Sequence, residues 1–188
     1  SEAIRVPNHR AMQALLAACG KPLAAPSANA SGGISPTRAE HVAASLAGRI
    51  PLVIDDGATP AGVESTIVMG GRILRPGPLT AEQLGLIAAA TTEAITAPGQ
   101  LASHYAPAKP LRLNATDSRG EWLIGFGEVA GDDSLSASGD LTEAAANLFD
   151  ALHRADASNA RAIAVAPIPE RGIGVAINDR LARAAHRD

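Results

Sequence analysis

The densest group of side chains able to do chemistry lies in Ala25-Pro26-Ser27-Ala28-Asn29-Ala30-Ser31-Gly32-Gly33-Ile34-Ser35-Pro36-Thr37. Three serines, one asparagine, one threonine and two glycines fall between Ser27 and Thr37. Hydroxyls, an amide and free backbone N–H groups ahead of a helix suit a phosphate or carboxylate. An ordinary turn uses Ser, Asn and Gly for backbone reasons and accounts for the composition equally well. No Gly-Lys-Ser/Thr follows, so this is not a Walker A loop.

Three further clusters stand out. Gly62-Val63-Glu64-Ser65-Thr66 opens a strand and can present a carboxylate and hydroxyls at a sheet edge, although a solvent-facing strand is the simpler reading. In Arg75-Pro76-Gly77 the proline and glycine form a turn that holds a guanidinium at a strand end, where it could grip an anion; a surface arginine is the simpler account. Ser103-His104-Tyr105-Ala106-Pro107 puts an imidazole and a phenol in a proline-restrained stretch that could close over a ligand. Its simpler reading is a tyrosine packed between two domains. The histidines show no ligand-like spacing, so no metal site is expected. Cys19 reads as a core residue, Asp55-Asp56-Gly57 as a turn, and Arg180, Arg183 and Arg187 as solvated or dipole-pairing charges near a helix end.

These clusters need elements to hold them. Short strands are predicted at Ile4–Val6, Leu23–Ala25 and Leu52–Ile54, and a hairpin at Ser65–Met69 and Arg72–Leu74 around Gly70-Gly71. Helices are predicted from His9 to Cys19 after an Asn8 cap, from a Thr37/Glu40 capping box to about Leu46, and after Thr80 with Gln83. Later come strands at Trp122–Phe126 and Ile163–Val165, a helix capped by Asp140 that carries Leu148, Phe149 and Leu152, and a last helix with Ile177, Leu181 and Ala184. The alternation argues α/β with mostly parallel pairing. Residues 1–90 and 111–188 read as two domains, joined by a proline-rich linker at 91–110.

The chain has 188 residues, 46% hydrophobic and 19% charged, with net charge −3. That composition excludes intrinsic disorder, and no apolar run is long enough to span a membrane. One cysteine allows no internal disulfide and suits a reducing compartment. Residues 1–96 carry seven basic and seven acidic side chains, which disfavours a broad nucleic-acid surface.

Taken in order, the motifs resemble the Sua5/YrdC family of threonylcarbamoyl-AMP synthases. The matching residues are Arg5-Val6-Pro7-Asn8-His9, the bend from Ala25 to Gly32, Ser35-Pro36-Thr37 through Val42, Val63 to Val68 and Ile73 to Gly77. Pro98-Gly99, Ser103 to Pro107 and Gly174 to Arg180 point to the two-domain Sua5 form. The resemblance implies a partial YrdC-like twisted α/β domain followed by a small Rossmann-like α/β Sua5 domain. The family's Lys-x-Arg motif is missing, since Lys21 and Lys109 are the only lysines. Position 1 aligns inside the family's first domain, so this chain is expected to be incomplete and inactive alone.

The resemblance also implies a reaction that joins L-threonine, bicarbonate and ATP to give threonylcarbamoyl-AMP and pyrophosphate. Magnesium is expected to arrive bound to ATP. The product serves modification of adenosine 37 in tRNA by other proteins in the cytoplasm, with tRNA itself a candidate contact and no membrane involved. No protein nucleophile is required. Ser27 and Ser65 would bind threonine. Asn29, Ser35, Thr37 and Arg75 would bind the nucleotide, with His104 and Tyr105 covering it. The competing expectation is an RNA-binding YrdC-like module, or a translation- or ribosome-associated factor, without synthase activity.

Overall fold

A computed structural model describes residues 3–88, 99 and 101–186. The first part of the chain carries two helices, α1 (Arg10–Cys19) and α2 (Ala39–Leu46), a hairpin of β1 (Ile67–Met69) and β2 (Arg72–Arg75), the short α3 (Ala81–Leu84) and β3 (Ile87–Ala88). β2 pairs antiparallel with β1 and parallel with β3. Gly70 and Gly71 turn the hairpin at φ 57° and 75°, a backbone that residues with a Cβ resist.

The second part is a parallel sheet in the order β4 (Leu111–Arg112), β7 (Ile163–Val165), β5 (Trp122–Gly125), β6 (Asp133–Ser134). It packs with α4 (Leu141–Ala157) and α5 (Gly174–Ala185). α4 turns Ala144, Ala145, Leu148, Phe149, Ala151, Leu152 and Ala155 inward, the one-sided stripe of a 3.6-residue repeat. All three residues of β7 are buried, as expected for a parallel strand covered on both faces.

The main core belongs to this second part, but Ile34, Val63 and Tyr105 from earlier in the chain join it. Gly62 makes that docking feasible. It sits at φ 68°, and a Cβ there would lie 2.0 Å from the Ala145 carbonyl oxygen of α4. Backbone therefore packs on backbone where the two parts meet.

Several local expectations hold. Thr80 and Gln83 form a reciprocal capping box, the Asp140 carboxylate accepts from the Glu143 N–H at 2.7 Å, and the Asp55 carboxylate accepts from the Gly57 N–H at 3.0 Å. Others fail. Ile4–Val6, Leu23–Ala25 and Leu52–Ile54 are not strands, because no neighbouring strand pairs with them among the described residues. His9, not Asn8, caps α1. Arg38 stands at the start of α2 without a side-chain cap, and the Thr37 N–H donates instead to His41 Nδ1 at 3.2 Å. Cys19 is exposed rather than core, since α1 buries no residue. β4 and β6, two residues each, carried no pattern long enough to read. Of the expected linker, 91–98 and 100 lie outside the described residues, as does Arg187.

Candidate functional site

The bend after Ala25 is braced by one side chain. The Asn29 amide nitrogen donates to the carbonyls of Ala30, Gly33 and Ile34 at 3.0–3.2 Å, which leaves its buried Oδ1 without a partner. The bend then delivers Ser35 to the junction, where its hydroxyl donates to Glu64 Oε1 at 2.5 Å. Ser27 stays exposed on the same bend. Thr37 is buried but turned elsewhere, with its hydroxyl 3.5 Å from His41 Nδ1.

The hairpin supplies the next pieces. Gly77 lets the turn after β2 approach so closely that a Cβ would lie 2.4 Å from the Thr66 nitrogen and 2.6 Å from the Glu64 carbonyl oxygen. That contact lays Arg75 back along Ser65, and its Nε and Nη2 donate to the Ser65 carbonyl at 3.2 and 2.8 Å. Arg75 also hydrogen-bonds the Tyr105 phenol.

Tyr105 closes the arrangement. It is 1% exposed and takes φ 64°, a left-handed backbone that costs a non-glycine residue on the order of 1–3 kcal/mol. The surroundings hold it there. The Ala106 N–H donates to the Gly32 carbonyl at 2.8 Å, and the His104 N–H to the Arg183 carbonyl at 3.3 Å. The phenol ring lies 5.5 Å from Phe149 of α4 and 4.0 Å from the His104 imidazole, centroid to centroid. One side of this segment is thus tied to the bend and the other to α5.

The electrostatics centre on Glu64. Burial pushes its carboxyl upward, but the Arg180 charge and the bonds from Ser35 and Arg180 outweigh that and hold it below the ordinary carboxylate range. Glu64 is therefore an anion at neutral pH. Burial, with Arg180 adjacent, lowers Arg75. Burial likewise lowers His104, whose Nδ1 is buried without a partner, so the ring is neutral at pH 7. Burial, and then the Glu64 charge, raise Tyr105, which keeps its phenol protonated.

The structure brings Ser35, Arg75 and Tyr105 to one junction with the Ser65 carbonyl, while Asn29 braces the bend from within and the His104 ring packs on Tyr105. Ser27 lies at its exposed margin, and Thr37 falls outside it. Two members went unassigned in the sequence. Glu64 was visible in its cluster but had no role. Arg180, expected from the sequence to be a helix-end charge, is fully buried in the middle of α5. Its signal was periodicity, because Ile177, Arg180 and Ala184 fall on one helix face.

Comparisons with known proteins bear on the family and the fold. Residues 72–186 match the family described as threonylcarbamoyl-AMP synthase, C-terminal domain, and residues 1–77 match the family described as telomere recombination. The chain belongs to the Sua5 threonylcarbamoyl-AMP synthase family. It is 36% identical to threonylcarbamoyl-AMP synthase of Bacillus subtilis (strain 168), over 97% of this chain and 62% of the relative. Identity with the Pyrococcus abyssi (strain GE5 / Orsay) synthase is 31%, over 97% of this chain and 63% of the relative. The crystal structure of P. abyssi Sua5 complexed with L-threonine superposes with a TM-score of 0.82 at 31% identity, covering 96% of this chain and 63% of that one. The chain thus spans about three fifths of the length of these Sua5 relatives. The α/β fold with a parallel sheet is shared with them. The RNA-binding alternative draws no support from any of them.

Proposed function

We propose that this chain carries the nucleotide-facing and linker portion of a threonylcarbamoyl-AMP synthase. The whole synthase would use L-threonine, bicarbonate and ATP to give threonylcarbamoyl-AMP and pyrophosphate. One observation carries the reading: the hydroxyl-rich bend, the Arg75 guanidinium and the Tyr105 phenol, drawn from three separate stretches, are linked by hydrogen bonds, and the His104 ring packs against Tyr105. The L-threonine bound in the related P. abyssi structure supports the amino-acid half. The division into a first domain at 1–90, a linker at 91–110 and a second domain at 111–188 belongs to this proposal.

The chemistry asks for positioning and shielding. Water leaves as the threonine nitrogen takes up the carbon of bicarbonate, and an oxygen of the resulting carbamate displaces pyrophosphate from the α-phosphorus of ATP. Carbamate and acyl-adenylate both hydrolyse readily, so the site must exclude water. A Tyr105 held down by Arg75 and Phe149 suits a cover. Arg75, desolvated and charged, suits the developing negative charge on phosphate. Ser27 and Ser65 are assigned to threonine, and Asn29, Ser35, Thr37, Arg75, His104 and Tyr105 to the nucleotide. For Asn29 the role would need its amide to release a backbone carbonyl. The assignment of Thr37 rests on the family resemblance alone.

Magnesium would be carried by the ATP phosphates, because no group of three or more acidic, His or Cys side chains gathers among the described residues to hold it. No helix among the described residues is long and apolar enough to cross a membrane. Delivery of the product to tRNA-modifying proteins, and contact with tRNA, would place the reaction in the cytoplasm.

The test is ATP and L-threonine binding by calorimetry. Arg75→Ala is expected to weaken ATP about tenfold or more while sparing threonine. An unchanged ATP affinity would overturn the assignment. Given ATP, bicarbonate and labelled threonine, the 188-residue chain is expected to form little product, because no Lys-x-Arg segment is present.

A further inference from the structure

Arg180 sits in the middle of α5, in the second part of the chain, yet every arm of its side chain but one reaches into the first. Its Nε donates to Glu64 Oε2 at 2.8 Å, and its Nη2 to the Pro76 carbonyl at 2.9 Å and the Glu64 carbonyl at 3.5 Å. Only Nη1 stays local, on Asp179 Oδ2 at 2.7 Å. The guanidinium carbon lies 5.4 Å from the centre of the Tyr105 ring, within range of a cation–π contact. The side chain is 0% exposed.

One planar fork therefore touches the strand carrying Glu64 and Ser65, the turn carrying Arg75, and the aromatic cover. We propose that Arg180 is the positioning residue that couples docking of the C-terminal domain to closure of the nucleotide site. This rests on the function proposed above.

The physical case follows from what each group would do alone. Glu64, whose side chain is 24% exposed, would without its cation take up a proton or turn to solvent, and either would release Ser35 and reshape the bend. The Pro76 carbonyl would lose its donor beside Arg75. Tyr105 would lose the charge over its ring while holding a left-handed backbone that other contacts must sustain. Lysine could satisfy one of these groups but not all three, because it lacks the rigid fork. Arg180 is too deep to touch substrate and acts through Glu64, Pro76 and Tyr105. α5 is then more than a cap: its face completes the site from behind.

Tyr105 is the only tyrosine in the chain, so ultraviolet absorbance of the phenolate reports it alone. The groups facing the phenol are Glu64, Arg75, Arg180, Asp179 and His104. This supplies a readout that a merely structural role would not move. If Arg180→Met leaves the cover closed, the phenol loses a neighbouring cation and titrates higher than in the parent. If the cover opens, the phenol becomes hydrated and titrates lower, near the ordinary value of about 10.

The experiment compares the parent chain, Arg180→Lys, Arg180→Met and the charge-neutral pair Arg180→Met with Glu64→Gln. It measures thermal unfolding, the Tyr105 titration, and ATP affinity by calorimetry. The expected result is a fall in the Tyr105 titration point and about tenfold or more weaker ATP binding in Arg180→Met. Partial recovery in Arg180→Lys is expected, with cooperative unfolding retained. The neutral pair guards against loss of fold from a stranded carboxylate and should still show the open cover. A Tyr105 that titrates higher, with ATP affinity within about twofold of the parent, would overturn the proposal. If the parent itself binds no ATP, the functional reading fails, while the phenol titration still decides whether Arg180 positions the cover.

Discussion

The two halves of this chain use the same alphabet of short helices and strands with opposite results. α1 and α2 bury no residue, and Ile4, Val6, Leu52 and Ile54 are 91%, 87%, 72% and 68% exposed. α4 buries seven residues and α5 six, over a four-stranded parallel sheet. Amphipathic helices gain little until a sheet or another helix covers their apolar stripe. In the second half β5 and β7 supply that cover. In the first half the described strands are the hairpin and one short neighbour. The candidate site lies where the two regimes meet, and its best-held residues are those tied to α4 and α5.

The sharpest way to break this comparison is to truncate one side chain in each half. Phe149→Ala in α4 is expected to cost about 3–5 kcal/mol by denaturant unfolding, while Leu15→Ala in α1 stays within about 0.5 kcal/mol. Equal costs would mean that both halves share one core.

A smaller effect probes the seam. Gly62→Ala would push a Cβ into the Ala145 carbonyl at a left-handed backbone position, and about 2–3 kcal/mol of destabilisation is expected. Gly57→Ala, also at positive φ but with open space around it, should cost about 1 kcal/mol from backbone strain alone. Chemical denaturation of the two variants checks the difference. Its absence would show that the close approach at Gly62 does not hold the halves together.

The smallest expected effect is pH dependence at the same seam. His41 of α2 stacks on His153 of α4 at 3.8 Å, and His153 Nε2 meets the Ser35 carbonyl at 3.1 Å. Burial lowers both imidazoles. The neighbouring ring lowers His41 further, against the opposing pull of Asp150 and Glu40, with Arg38 also facing it. For His153, the Ser35 carbonyl, Asp150 and Asp156 pull the other way. In the folded chain each ring then takes its proton at lower pH than in the unfolded chain, whose value is near 6.5. Below about pH 6.5 the unfolded state binds more protons, so stability is present above that pH and is lost on acidification. Denaturant midpoints between about pH 7.5 and pH 5 should fall, and His153→Gln should flatten the slope. Imidazole titration at or above the ordinary value would contradict this.

Much of the local structure was legible because its causes are local. Asp140, Thr80 with Gln83, and Gly70-Gly71 mark their elements through contacts a few residues apart. The motif order identified the family for the same reason, since residue types in sequence need no coordinates. Strands at Ile4–Val6, Leu23–Ala25 and Leu52–Ile54 were not legible, because a strand exists only when a partner pairs with it. Thr37 is not the cap because α2 begins one residue later, after Arg38, and the Thr37 hydroxyl lies beside His41 Nδ1 rather than on a helix N–H.

Chain chemistry alone settles which groups are available: hydroxyls and an amide on a bend, a guanidinium before a turn, an imidazole beside a phenol. It does not settle their company. Arg180 and Glu64 lie 116 positions apart, and His153 and Ser35 118. Contacts at such separations are selected by how the sheet and helices of the second half pack against the first. A buried charge declares its partner only when folding removes the water that would otherwise solvate it.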